Sequence, residues 1–279
     1  MPARHPERIV CLTEESTETL YLLGEERRIV GISGYTVRPP RARREKPRVS
    51  AFLSARTDKI LELKPDLVIG FSDLQADIAR DLAKAGLNVL IFNQRSVQQI
   101  LDMILALSSL VGAADKGVRL IGELEAGLDE IRKSSKAFAR RPRVYFEEWD
   151  EPMISGIRWV SELIEIAGGE DVFSGQSHSQ AAAGRVIADG KMVVEKQPDV
   201  IIGSWCGKKF RPERVAARPG WQAIAAVREN QLFEVKSADI LQPGPAALTD
   251  GVRRIHALLS DYLKRSSDRA SGTRSQAAG

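Results

Sequence analysis

The heptad Lys64-Pro65-Asp66-Leu67-Val68-Ile69-Gly70 returns 133 residues later as Gln197-Pro198-Asp199-Val200-Ile201-Ile202-Gly203. In each copy Pro-Asp punctuates the end of a helix, and the apolar run closing on glycine reads as a buried strand. One such heptad would decide little, since many helix-to-strand turns look alike. Three further features keep the same order at nearly the same offset. Short helical patterns at 58–63 and 191–196 precede the two copies. The strand starts Arg8-Ile9-Val10 and Arg143-Val144-Tyr145 lie 135 residues apart. Leu23-Gly24-Glu25 stands before one strand as Ala167-Gly168-Gly169-Glu170 stands before Asp171-Val172-Phe173. The ordered set predicts two related lobes.

Strand-like runs at 8–12, 28–33, 66–70, 88–92, 143–146, 199–203 and 231–236 alternate with amphipathic stretches such as 73–85 and 96–111. Alternation of this kind predicts an α/β fold with mainly parallel sheets covered by helices. One segment breaks the rhythm: 113–140 has no strand, and Val118, Ile121, Leu124, Leu128 and Ile131 form a helical stripe. A helix over 113–139 would be about 40 Å long and could join the lobes. The expected organisation is an N-terminal lobe at 8–112, a connecting helix at 113–140, a C-terminal lobe at 141–264, and a disordered tail at 265–279 that lacks apolar anchors.

The 279 residues are 43% hydrophobic and 28% charged, which excludes a disordered chain and a disulfide-stapled miniprotein. No run approaches the roughly 18 apolar residues of a membrane helix, so no membrane insertion is expected. Forty-one basic against 37 acidic residues leave a net charge of +4. The basic stretch Arg38 to Arg48 lacks interleaved aromatics, so nucleic acid is not expected as a partner. No apolar leader precedes Ile9, which predicts a cytoplasmic chain, or a periplasmic one if the true start lies upstream. Nucleotide-loop, serine-elbow and zinc-protease motifs are missing, and the histidines number three. The expectation is a monomer that is not an enzyme.

In open α/β sheets, ligands sit outside the carboxyl ends of the strands. That rule selects Thr13, Glu14, Glu15, Tyr35, Phe71 and Ser72 from the first half. From the second it selects Glu147, Glu148, Trp149, Ser204, Trp205, Cys206 and the stretch Ser237 to Gln242. If the lobes face each other, these positions line one cleft. Its aromatics, Tyr35, Phe52, Phe71, Trp149, Trp159 and Trp205, suit a large flat ligand, although some of them can equally be core. The acidic run Glu147 to Glu151 reads either as a solvated loop or as hydrogen-bond acceptors or metal ligands. The basic stretch reads either as a solvated loop or as a magnet for phosphate or propionate-like groups. Lys208 and Lys209 could depress the Cys206 thiol. Two alternatives follow: a direct metal-ion site from Glu147, Glu148, His178 and Cys206, or a cytoplasmic enzyme with Cys206 as nucleophile. Cys11, inside an apolar strand, reads as core.

The order Arg8-Ile9-Val10-Cys11-Leu12-Thr13, Glu18 to Gly24, Ile29-Val30-Gly31-Ile32-Ser33-Gly34-Tyr35, Arg38-Pro39-Pro40, Lys46 to Ser50 and Ile60 to Gly70 resembles the substrate-binding proteins of cobalamin and ferric-siderophore ABC transporters. Ile154-Ser155-Gly156, Ile166 to Phe173 and Gln197 to Gly203 continue it, so the resemblance covers about residues 8 to 263 and is strongest to the cobalamin-binding branch. It implies the class III fold: two α/β lobes joined by one rigid helix, with ligand held between them and little hinge closure. It implies non-enzymatic binding of cobalamin, a related corrinoid or a similar metal chelate. Tyr35, Phe52 and Phe71 fall where cobalamin binders place aromatics around the corrin. Ser155, Gly156 and Gln242 fall in ligand-facing loops. Glu14, Trp149, Trp205 and Cys206, selected by the strand-end rule, complete the expected site, and neither Cys206 nor the acidic run belongs to the family pattern. The family also docks an ABC permease through one carboxylate on each lobe. Asp58 meets that pattern, whereas the matching Lys191 reverses the charge and argues against a conventional importer.

Overall fold

The computed structural model describes residues 5–276, and from residue 270 onward the backbone alone. Residues up to Glu125, together with Gln242–Ala246, form one compact unit. Ala126–Leu241 and the residues from Ala247 onward form a second.

In the first unit the chain runs β1 (Ile9–Cys11), α1 (Glu14–Leu22), β2 (Ile29–Ser33), α2 (Ala42–Glu45), β3 (Arg48–Ser50), α3 (Thr57–Glu62), β4 (Leu67–Phe71), α4 (Ala76–Lys84), β5 (Val89–Phe92) and α5 (Val97–Leu110). The strands pair in the order β3-β2-β1-β4-β5, all parallel. β1 is central and has no exposed residue, as expected for a strand covered on both faces. Val10, Val49, Ile60, Val68 and Leu82 form one face of the core.

Helix α6 (Ala114–Ser135) follows, and the chain passes from the first unit to the second within it. At 22 residues it is about 33 Å long, shorter than the sequence pattern suggested. It stops because residues 136–138 fold into a turn, where the Phe138 ring stacks on His256 at 5.2 Å.

The second unit holds β6 (Arg143–Asp150), β7 (Met153–Ser155), α7 (Arg158–Ile166), β8 (Glu170–Asp171), α8 (Ser174–Ser177), α9 (Lys191–Lys196), β9 (Val200–Gly203), α10 (Pro212–Ala216), α11 (Ala225–Arg228), β10 (Leu232–Glu234), α12 (Ser237–Ile240) and α13 (Val252–Gln276). The sheet order is β10-β9-β6-β7, with β8 alongside the start of β6. Only β7 is antiparallel, paired with the far end of β6. The internal repeat is visible in the pairing itself. Val10 faces Val68 in one sheet, and Tyr145 faces Ile201 in the other, at the offsets the sequence showed. The core is aromatic: Tyr145 packs edge-on to Phe173 at 5.5 Å and to Trp221 at 5.9 Å. Gly203 is obligatory, because a Cβ there would lie 1.8 Å from the Phe210 ring.

Three sequence expectations are corrected. The acidic run is not a loop at a strand end: β6 continues through Asp150, so four of its five members belong to the strand. The tail expected to be disordered is helical as far as Gln276, since α13 anchors itself through Ile255, Leu258, Leu259 and Tyr262. Extending an established helix costs little per residue even without apolar contacts. The stretch from Ser237 to Gln242 is not one loop, because α12 ends at Ile240 and Gln242 packs with the first unit. No helix among the described residues is long and apolar enough to cross a membrane.

Candidate functional site

The loops at the carboxyl ends of β2, β3 and β4 carry an apolar rim on the first unit. Leu53 is 69% exposed, Leu74 60% and Tyr35 59%, beside a sheet whose central strands β1 and β4 are buried throughout. Local hydrogen bonding holds the rim in place. Tyr35 sits in a turn closed by Thr36 N–H donating to Ser33 O at 3.2 Å. Phe52 and Leu53 project from a tight turn in which Ala51 N–H donates to Ser54 O at 2.8 Å. The Gln75 amide joins two loops: its Oε1 accepts from Phe71 N–H, and its Nε2 donates to Phe52 O, both at 2.9 Å. Phe52 is half-buried. Phe71 is buried, with the Arg95 guanidinium 4.9 Å above its ring, so it supports the rim from below.

Beside the rim, α1 begins with buried Glu14, Glu15 and Glu18. Glu18 accepts from Arg38 Nε at 2.9 Å and from Ala246 N–H at 3.0 Å. Glu15 accepts from the Thr13 hydroxyl at 2.5 Å, while its Oε2 has no partner. Oε1 of Glu14 is likewise buried without one. Gly244 covers this cluster, and a Cβ there would come within 2.5 Å of the Glu15 Cβ. Burial pushes the Glu14 carboxyl up to about 8, partly opposed by the Val37 and Arg38 amides and reinforced by Glu18. Burial also pushes Glu15 up to about 7. Two neighbouring acids that hold protons near neutrality can donate hydrogen bonds as well as accept them. Cys11 is buried in β1 with its thiol raised by burial to about 12, which confirms it as a core residue.

The second unit treats its acids differently. Glu147 is 0% exposed, and Arg218 grips it with both guanidinium nitrogens at 2.5 and 2.9 Å. The Tyr145 hydroxyl and the Trp205 indole also donate to it, at 2.8 and 3.0 Å. Glu148 takes both nitrogens of the buried Arg185 at 2.5 and 3.2 Å. Asp150 pairs with Lys208. Burial alone would raise the Asp150 carboxyl, but the Lys208 ammonium outweighs it and holds the group below its ordinary range. Lys208 lies over the Trp149 ring at 4.0 Å and near the Trp205 ring at 5.1 Å.

Several expected ligand residues therefore have structural work. Trp205 is 3% exposed, bonded to Glu147 and packed edge-on to Phe210 at 5.0 Å, so it belongs to the core. Trp159 is core as well, donating to Ile240 O at 2.9 Å. Ser155 and Gly156 are buried, and the Ser155 hydroxyl donates to Arg185 O at 3.2 Å. Trp149 remains half-exposed, its indole donating to Glu151 O at 2.9 Å. Cys206 is exposed, but its thiol is raised by burial of the sulfur and by Glu148, opposite to the depression expected from the lysines. A raised thiol is a weak nucleophile at neutral pH. Glu147 and Glu148 are occupied by arginines, and no group of three or more metal-ligating side chains occurs among the described residues. Gln242 is half-buried in the first unit. Asp58 and Lys191 are exposed at the starts of α3 and α9, the helices that precede the two Pro-Asp strands.

Leu53, Leu74, Gln75, Arg185 and Arg218 were not singled out in the sequence. The two leucines follow strands, so the carboxyl-end rule could have found them. The arginines lie 37 and 71 residues from their carboxylates, with no local signature.

Two α/β halves of matching pairing, one carrying an apolar rim at its strand ends, define the class of fold. The periplasmic binding protein family matches residues 9–238, and the chain belongs to that family. It is 28% identical over 269 residues to a vitamin B12-binding protein of Vibrio cholerae, covering 92% of this chain and 89% of that one. Among solved structures it is similar to a possible iron-binding periplasmic solute-binding protein of Staphylococcus epidermidis (TM-score 0.79, 20% identity, 91% of this chain and 99% of that one). It is also similar to the periplasmic heme-binding protein RhuT of Roseiflexus sp. RS-1 (TM-score 0.74, 24% identity, 91% and 99%). The family's members bind substrates for transport, which sets a small-molecule ligand and a permease partner as the family role.

Proposed function

We propose that the protein binds a flat, bulky metal chelate without reacting with it, cobalamin or a related corrinoid first among them. The observation that carries this reading is the exposed apolar rim of Tyr35, Leu53 and Leu74 at the strand ends where open sheets place ligands. Covering one such side chain contributes about 1.5–3 kcal/mol, so three suffice to hold a large apolar face. The half-buried Phe52 extends the platform. The similarity to a vitamin B12-binding protein supports the corrinoid assignment. The similarity to a heme-binding protein keeps a second flat macrocycle, heme, in view.

Equilibrium dialysis against cyanocobalamin and, separately, hemin tests the reading by visible absorption. Stoichiometric retention of cyanocobalamin is expected. Retention of neither macrocycle would overturn the proposal, and retention of hemin alone would replace the corrinoid with a porphyrin.

A further inference from the structure

The first unit has a concavity of about 480 Å³ that does not lie at the carboxyl ends of the strands. It opens at the start of β3, the edge strand, between α2 and α3. Its walls carry Arg43, Lys46, Arg48 and Lys59 against a single carboxylate, Glu62. Val49, Pro47 and Leu63 supply apolar lining. The rim described above stands at the opposite ends of these strands, so the two places are separate on the same sheet.

Four cations in one small hollow repel one another, and such clusters are ordinarily neutralised by nearby acids. Among the described residues none of the four makes an ion pair, although neighbours such as Arg41 pair with Glu26 at 3.0 Å and with Glu45 at 3.7 Å. Lys46 is half-buried, and that burial depresses its ammonium despite the carboxylates of Glu45 and Glu26. An anion seated among these groups would relieve both the mutual repulsion and the cost of burying Lys46. Two guanidinium forks offer paired donors to tetrahedral oxygens, and the lysines add charge without directional demand. The volume falls within the range of small-molecule sites.

We propose that this hollow is a binding site for a small soluble molecule carrying at least two phosphate charges, held by Arg43, Lys46, Arg48 and Lys59. Val49, Pro47 and Leu63 give its organic part an apolar wall. The site is independent of the macrocycle reading, because no residue is shared between them.

Inorganic pyrophosphate is the probe, titrated calorimetrically into the full chain at 150 mM salt. Saturable binding is expected, at least tenfold weaker in K46Q/R48Q and several-fold tighter in E62Q. The control R27Q/R119Q removes the same charge from exposed positions elsewhere and should leave affinity within twofold. The melting temperature of K46Q/R48Q should match the wild type, which shows that the variant is folded. Absence of saturable binding, or equal loss in K46Q/R48Q and in the control, would overturn the site. So would sedimentation with vesicles of phosphatidate and phosphatidylcholine in the absence of any pyrophosphate binding, because the hollow would then read a lipid surface rather than a soluble ligand.

Discussion

Each half of the molecule buries carboxylates at the carboxyl end of its first strand, and the two halves keep them stable by opposite means. After β1, Glu14 and Glu15 have no cation of their own and retain protons instead. Along β6, Glu147, Glu148 and Asp150 are ion-pair partners of Arg218, Arg185 and Lys208. A repeated architecture therefore does not repeat its electrostatics. The proton solution leaves groups that can change hydrogen-bonding role beside the apolar rim. The ion-pair solution consumes its donors and acceptors internally.

The largest expected effect breaks the ion-pair half. Arg218→Met strands a fully buried carboxylate and should destabilise the second unit by about 3–5 kcal/mol. Glu147→Gln combined with Arg218→Met should recover much of that loss. All four tryptophans lie in the second unit, so their fluorescence in urea reports its unfolding directly. If the double variant is no better than the single, pairing is not what stabilises Glu147.

The proton half is sharpened by pH. Glu14 and Glu15 titrate higher in the fold than the 4.5 of an unperturbed glutamate, so the folded state binds the extra protons. Their contribution is most favourable below about 4.5, declines as pH rises through that value toward 8, and is flat beyond. Glu14→Gln should thus be near neutral at pH 5 and stabilising by about 2–4 kcal/mol at pH 9. Thermal melts of both proteins across that range check this. A constant difference at all pH values would remove the protonated-acid account.

The sequence made the paired halves legible because the Pro-Asp turns and buried strands leave local marks. Seven strands stand where those marks place them, and Val10–Val68 and Tyr145–Ile201 reproduce the repeat as hydrogen-bonded register. The missed strands β3, β7 and β8 have two or three residues, too few to display a period. The acidic run was misread for a different reason. Whether Glu147 is solvated depends on Arg218, and nothing near either residue in the chain announces the meeting. The same limit applies to Trp205, whose place after a strand suggested a ligand-facing ring while Phe210 and Glu147 enclose it in space. The exposure of Tyr35, by contrast, was legible because its position after a strand suffices.

Smaller effects belong to ligand and partner. Tyr35→Ala should weaken macrocycle binding by about 1.5 kcal/mol, roughly tenfold, with little change in melting temperature. Permease docking should respond least. Lys191→Glu, at an exposed site, should strengthen capture by a detergent-solubilised cognate permease by about 0.5–1 kcal/mol, and Asp58→Ala should weaken it by a similar amount. Biolayer interferometry at two salt concentrations would show both, the differences shrinking at high salt.

The rim itself is tested most directly by calorimetric titration of cyanocobalamin into the wild-type protein and a Tyr35→Ala/Leu53→Ser variant. Tight one-to-one binding to the wild type and a loss of about a hundredfold in the variant, with melting temperature preserved, is the result this account predicts. Equal affinity in the two proteins would contradict it.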